Sequence, residues 1–373
     1  MEEPVMKRLM SLMMLFSLVT ALFIACGRKN KNIPETGIDN TTDNKAKGYE
    51  LALVTDVGTI DDKSFNQGAW EGLVRYAQEN NITNKYYQPA EPTTASYLET
   101  ITLAVKGGAK LIVCPGYKFA EAVYDAQSQF PEVKFIILDS QPEKYGDTTI
   151  MENVLAIYYA EHQAGFLAGY AAVKEGYTKL GFIGGMAVPA VVRFGYGYVI
   201  GAETAAKELG IDTIDMKYHY TGGFAATPEA QTTAASWFQS GTQVIFACGG
   251  AVGNSVMAAA QDSNGKVIGV DVDQSSESQT VITSAMKMLS LSVYDSIGQY
   301  YDGNFTGGQV VTLDVNTGGV GLPMETSKFE KFTQEEYDRV YEGLKDQTYT
   351  IAIDGVSAVT DLPVTIIKID EVK

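Results

Sequence analysis

Residues 50–67 read Glu50-Leu51-Ala52-Leu53-Val54-Thr55-Asp56-Val57-Gly58-Thr59-Ile60-Asp61-Asp62-Lys63-Ser64-Phe65-Asn66-Gln67. Glu50 to Thr55 is a short apolar run of the kind a buried parallel strand makes. Ser64, followed three residues later by Gln67, is a capping box, so a helix is expected to begin at Phe65. A strand, a polar loop and a helix in direct succession form the unit from which α/β folds are assembled. The unit recurs: further strands are expected at Leu111 to Cys114, Lys134 to Leu138, Leu180 to Ile183, Val244 to Ala247 and Val267 to Val270. Helices are expected over Phe65 to Glu79, Thr94 to Lys106, Tyr158 to Lys174, Ala190 to Leu209, Pro228 to Gln239 and Ser255 to Asp262. The fold class is therefore α/β, with parallel sheets buried beneath helices on both faces.

One set of units ends around Lys174 and a second starts near Leu180, which divides the chain into two lobes with a compact, hinge-like join. The first lobe is expected to hold about residues 49–160 and the second about 161–283. Strand and helix patterns from Val281 to Val315 then return the chain to the first lobe over about 284–315, and the C-terminal part joins the second. A length of 373 residues suits about two such bodies, each able to bury a core without disulfides or metal.

Apolar residues make up 45% of the chain and charged residues 20%, the balance of a folded globular protein. The net charge of -17 argues against a nucleic-acid partner, because such binding rests on Lys and Arg neutralising phosphates. Of the 3 cysteines, Cys114 and Cys248 end apolar strands and read as small buried hydrophobes rather than as a disulfide framework. The 2 histidines, His162 and His219, lack metal-ligand spacing. They leave little material for a zinc site or a His-based triad, so no metal, cofactor or catalysis is expected.

At the N-terminus Lys7 and Arg8 precede an apolar run from Leu9 to Ile24, which at about 16 residues is short for a membrane span. Ala25-Cys26-Gly27 follows. Residues 1–25 read as an export signal, with an uncleaved anchor as the alternative and Met6 as a second candidate start. Phe23-Ile24-Ala25-Cys26 resembles a bacterial lipobox, with Phe23 where leucine is usual. That resemblance implies cleavage before Cys26, a diacylglycerol on its sulfur with palmitate-type acylation, and a lipid-anchored protein on the outer face of the cell membrane. The polar residues up to Gly48 would then be a leash.

Function has its densest material in the loop already quoted. A helix starting at Phe65 puts that ring at the mouth of a sheet, where ligands of open α/β folds sit, with Asp56 and Asn66 beside it. Tyr220-Thr221-Gly222-Gly223-Phe224 precedes Thr227-Pro228, a helix cap and opening, so Phe224 mirrors Phe65 in the other lobe. Two rings across a cleft can clamp a flat heteroaromatic; each could equally cover the core. Phe246-Ala247-Cys248-Gly249-Gly250 places glycines at a strand end, where a ligand can approach the backbone. Gly269-Val270-Asp271 ends the next strand in a carboxylate suited to a vicinal diol such as ribose, and Lys287 could donate to the same sugar. Gly181-Phe182-Ile183-Gly184-Gly185 is turn chemistry rather than a full dinucleotide loop.

Together these residues resemble the basic membrane protein family of purine-nucleoside-binding lipoproteins, substrate-binding components of ABC transporters with the two-lobed type I periplasmic-binding-protein fold. The likeness runs from about Tyr49 to Pro323 and is strongest in Val54 to Gln67 with Trp70-Glu71-Gly72, in Phe246 to Gly250 with Gly253-Asn254, and in Gly269 to Asp271 with Asp273-Gln274. The resemblance implies that Phe65 and Phe224 sandwich a base while Asp56, Asp271 and Lys287 hold base and ribose. Asn66, Asp139, Phe246 and Gly250 follow as further ligand-binding residues. It implies a nucleoside ligand such as inosine, guanosine or adenosine, an ABC permease as partner, a monomer, and delivery by hinge closure. Departures concentrate at Gly185 to Tyr198 and in the C-terminal tail. A sugar- or signal-binding protein of the same fold feeding a membrane receptor is the alternative, and an enzyme using the acidic loop Asp56 to Asp62 is a third reading.

Overall fold

The computed structural model describes residues 48–372 other than Val57. The expected export signal, the lipidation site Cys26 and the leash up to residue 47 lie outside the described residues. The described chain runs β1 (Leu51–Val54), α1 (Phe65–Glu79), β2 (Asn84–Tyr87), α2 (Thr94–Lys106), β3 (Leu111–Pro115), α3 (Ala120–Gln129), β4 (Lys134–Leu138) and β5 (Val154–Tyr159). It continues α4 (Glu161–Lys174), β6 (Lys179–Gly184), α5 (Pro189–Leu209), β7 (Ile214–Tyr220), α6 (Pro228–Gln239), β8 (Val244–Cys248), α7 (Val252–Ser263) and β9 (Lys266–Asp271). The last third is β10 (Val281–Lys287), α8 (Leu289–Tyr301), β11 (Gln309–Leu313), β12 (Val320–Gly321), α9 (Gln334–Lys345) and β13 (Ile367–Glu371).

Two sheets result, a six-stranded one in the order β11-β5-β4-β3-β1-β2 and a seven-stranded one in the order β12-β10-β9-β8-β6-β7-β13. Every pairing is parallel except β10 with β12, where Met286 faces Gly321. The chain passes between the sheets at Ala160, at Met288 and through residues 314–319. Ser284 to Lys287, expected in the first lobe, therefore belong to β10 of the second sheet, and the return begins one residue later, where α8 comes to pack on α1. The helix expected from Tyr158 starts at Glu161, because the unbroken apolar run Val154–Tyr159 is still strand.

Local rules account for several helix starts. Thr227 accepts from Ala230 N at 3.1 Å with Pro228 opening α6, and Thr333 with Glu336 forms a full capping box on α9. Helices α4 and α5 cross backbone to backbone. A Cβ on Gly169 would lie 2.0 Å from Tyr198 O, and one on Gly201 would lie 2.0 Å from Phe166 O. Gly165 and Gly197 face Phe194 O and His162 O in the same way, at 2.1 and 2.0 Å. Only glycine permits this approach, and both helices are apolar almost all round because each is covered on most sides.

The C-terminal segment straps the second lobe through two buried glutamates. Glu203 on α5 accepts from Thr365 N and Oγ1 at 2.8 Å, Ile366 N at 3.0 Å and Ile367 N at 3.1 Å, seating the start of β13. Glu175 likewise accepts from the backbone of Glu330, Lys331 and Phe332. Burial alone would raise the Glu203 carboxyl, but these bonds and Lys207 outweigh it and hold it down at about 2. A depressed folded value means stability that is present above the ordinary glutamate range near 4.5 and lost as pH falls towards 2. Glu203→Gln should cost about 1–3 kcal/mol at neutral pH and much less near pH 2. Hydrogen exchange should locate the loss in Ile367–Glu371; protection there equal to wild type would remove the clamp.

Candidate functional site

A cavity of about 860 Å³ lies between the two sheets, within the range usual for small-molecule sites. Its walls are the carboxyl ends of the parallel strands: Asp56 beyond β1, Gly116 beyond β3, Asp139 beyond β4, Phe224 beyond β7, Gly249 and Gly250 beyond β8, Asp271 closing β9 and Lys287 closing β10. Val188, Val191 and Phe194 add an apolar wall from the start of α5.

The loop between β1 and α1 is built around Asp62. The helix begins at Phe65 as expected, but the capping box at Ser64 is not formed. Asp62 takes that role, accepting from Ser64 N at 2.9 Å, Asn66 N at 3.0 Å and Gln67 N at 3.1 Å. An ionised carboxylate at a helix N-terminus out-competes a hydroxyl for these donors. The Ser64 side chain is thereby released and donates instead to Asp271 Oδ2 across the lobes, at 2.5 Å. Asp56 Oδ1 accepts from Gly58 N at 2.7 Å and Asn66 Nδ2 at 3.1 Å, and burial pushes its carboxyl above the ordinary range.

Asp139 and Asp271 occupy equivalent places in the two sheets. Both take a left-handed backbone, with φ of 58° and 68°, a conformation that short polar residues tolerate and that clusters at working sites. Between them sits Lys287, buried, with Nζ 2.5 Å from Asp139 Oδ2 and 3.0 Å from Glu161 Oε1. The ammonium also lies 5.0 Å from the centre of the Phe65 ring and 5.4 Å from that of Phe194. Arg193 Nε donates to the other Glu161 oxygen at 2.6 Å. Burial pushes Asp139 up to about 7, with Lys287 opposing the rise. Burial acts on Glu161 in the same direction, but its two cations more than reverse it and hold it low. Lys287, expected to donate to the same sugar as Asp271, has Asp139 and Glu161 as its direct partners, and Asp271 bonds Ser64.

Phe65 and Phe224 are both half-buried and line the cavity from opposite lobes. Phe224 is seated by Gly185, where a Cβ would come within 2.5 Å of the ring. Gly250, at φ 56°, turns the chain sharply so that backbone from 249 to 251 faces the cavity. Asn66 also lines it.

Phe246 does not. It is wholly buried in mid-strand, packed against Phe182, Phe194 and Tyr198, so the cavity is walled by Phe194 instead. Sequence reasoning missed Phe194, Glu161, Arg193, Tyr117 and Tyr158. Glu161 and Arg193 left one trace: each is an isolated charge in a long apolar segment, and such a charge is buried with a partner or functional.

Two sheets of parallel strands, three chain crossings and a polar-floored, aromatic-walled cavity between carboxyl strand ends define a solute-binding protein of the type I periplasmic fold. A solute-binding protein of an ABC transporter system from Aeropyrum pernix K1 superposes with a TM-score of 0.65 at 26% identity, covering 81% of this chain and 87% of that one. One from Conexibacter woesei, at 23% identity and TM-score 0.65, shares the fold. Residues 49–353 match the model of the Bmp family, described as ABC transporter substrate-binding protein PnrA-like, and the chain belongs to that family of ABC substrate-binding proteins. An "ABC transporter nucleoside-binding protein BmpA" of Lactococcus lactis subsp. cremoris is 32% identical over 75% of this chain and 83% of its own length. "Basic membrane protein B" of Borreliella burgdorferi is 32% identical over 78% of this chain and 85% of its own. Among the described residues no helix is long and apolar enough to cross a membrane.

Proposed function

We propose that the protein binds a purine nucleoside in this cavity and hands it to an ABC permease, working as a monomer held by a lipid on Cys26 at the outer face of the cell membrane. The base lies between Phe65 and Phe224, with Asp56 and Asn66 at its polar edge. The ribose lies over Asp271, Asp139 and Lys287, with Gly250 giving backbone access. Closure of the lobes about the three crossings brings the rings together, and the ligand biases closure because only the closed form lets both lobes touch it.

The observation that carries this reading is the placement of two half-buried rings on opposite lobes above buried carboxylates. Such a site suits a flat, apolar-faced, donor-rich and uncharged ligand. The Lactococcus relative is named a nucleoside-binding protein, which agrees with it.

A thermal-shift screen with nucleosides, free bases, pentoses and hexoses tests it. A ligand at a hundredfold excess over its dissociation constant stabilises the native state by about 2.7 kcal/mol. Inosine, guanosine or adenosine should raise the midpoint and ribose should not; a shift with sugars alone would replace the ligand class. Phe65→Ala and Phe224→Ala should each weaken nucleoside binding tenfold or more, about 1.4 kcal/mol or more, through lost stacking and burial. Titration curves unchanged in both would sink the sandwich.

A further inference from the structure

The side-chain amide of Asn66 is held in one orientation. Its Nδ2 donates to Asp56 Oδ1 at 3.1 Å and to Asp62 Oδ2 at 2.9 Å. Turning the amide over would set its oxygen against two carboxylate oxygens, so the nitrogen must stay on that side. Asn66 Oδ1 is consequently fixed on the other side. It is buried, it has no hydrogen-bond partner, and the residue lines the cavity. Asp56 lines it too, with Oδ1 already taken and Oδ2 left as its second acceptor.

We infer that Asp62 is a specificity-determining positioning residue: by locking the Asn66 amide it leaves this edge of the cavity with acceptors only, which selects a ligand edge carrying adjacent donors. The inference rests on the nucleoside reading and narrows it. A guanine edge offers N1–H and the 2-amino group side by side, two donors for Asn66 Oδ1 and Asp56 Oδ2. Hypoxanthine offers N1–H alone. Adenine offers its 6-amino group next to N1, an acceptor, which faces oxygen without a proton between them. A site built to accept hydrogen bonds discriminates strongly against a partner that cannot donate, because the buried acceptor is left unpaired.

Asp62 also caps α1, so its loss lowers stability in any case, and the test must read a ratio rather than a total. Dissociation constants of the full chain for guanosine, inosine and adenosine are measured by calorimetry for wild type, Asp62→Asn and Asn66→Ala. In wild type guanosine should bind at least tenfold tighter than adenosine, with inosine between and 1-methylguanosine no tighter than adenosine. Asp62→Asn keeps a capping oxygen but removes one of the two carboxylates that hold the Asn66 amide, so the preference for guanosine over adenosine should fall by about threefold or more. Asn66→Ala removes the acceptor and should compress the ratio likewise, which keeps the test decisive if the first variant folds poorly. Equal affinity for guanosine and adenosine in wild type, or an undiminished ratio in both variants, overturns the assignment of Asp62 while leaving nucleoside binding intact. Failure of every nucleoside to bind wild type overturns both.

Discussion

Lys287→Met is expected to destabilise the protein by about 3–5 kcal/mol at neutral pH, the cost of leaving buried carboxylates without their cation. The side chain is 2% exposed and is shared between Asp139 and Glu161, so no water replaces it easily. Asp139, already pushed up to about 7 by burial, would rise further once the opposing ammonium is gone. A raised folded value for an acid means stability that is present below its unfolded value, near 4, and lost as pH rises through the folded value. The deficit of the variant should therefore grow between pH 5 and pH 8, and Lys287→Met/Asp139→Asn should recover a substantial part of it. Denaturant titration at both pH values checks this. A deficit that is small, or equal at the two, would show that the charges are not coupled as the geometry has them. Glu161 should matter less to the pH dependence, because Arg193 remains beside it.

Gly169→Ala is expected to have the next largest effect, a loss of about 3 kcal/mol or more. Added methyl groups in tight packing cost about 1–3 kcal/mol where side chains can rotate away. Here the obstacle is the carbonyl oxygen of Tyr198, 2.0 Å from the new Cβ, and a helix backbone moves only as a unit. The seam would have to open along its whole length, drawing Phe194 away from the cavity and Glu161 away from Lys287, since they sit on the same two helices. Thermal unfolding should show a fall of about 5 °C for a chain of this size, with weaker ligand binding. Gly253→Ala is the control: its Cβ would meet nothing nearer than Met257 Cε at 3.8 Å, so the helix preference for alanine should leave stability unchanged or slightly higher. Equal behaviour of the two variants would mean that the seam is looser than it looks.

The parts of the fold legible in the sequence are those where local pattern and burial coincide. Strands buried on both faces, such as Leu111–Pro115 and Val244–Cys248, are continuous apolar runs and stand out. Asn84–Tyr87, Gln309–Leu313 and Ile367–Glu371 escape because they carry polar or charged residues and lie at sheet edges. Ile214–Tyr220 alternates Asp, Lys and His with apolar residues and escapes for the same reason. The end of Val154–Tyr159, from Tyr158, reads as part of the following helix because apolarity continues through both.

The cavity shows the same division. Asp56, Phe65, Asp139, Phe224 and Asp271 follow strand ends or open helices, so their position in the chain already places them at the mouth. Phe246 sits too far back along its strand, and Phe194 reaches the cavity from mid-turn of a helix whose pattern says only that it is buried. Which donor satisfies which acceptor was least legible of all. Asp62 rather than Ser64 caps α1, and that exchange decides where the Ser64 hydroxyl goes.

Strand β13 covers the edge of the second sheet by pairing with β7, Ile367 against Ile214. Without it, Ile214–Tyr220 would be a bare edge with an open row of backbone donors and acceptors. A variant lacking β13 would keep every cavity residue named above and still offer that edge to its neighbours. Such a variant should therefore clump before it fails to bind, which makes β13 a guard on the sheet edge rather than a part of the cavity.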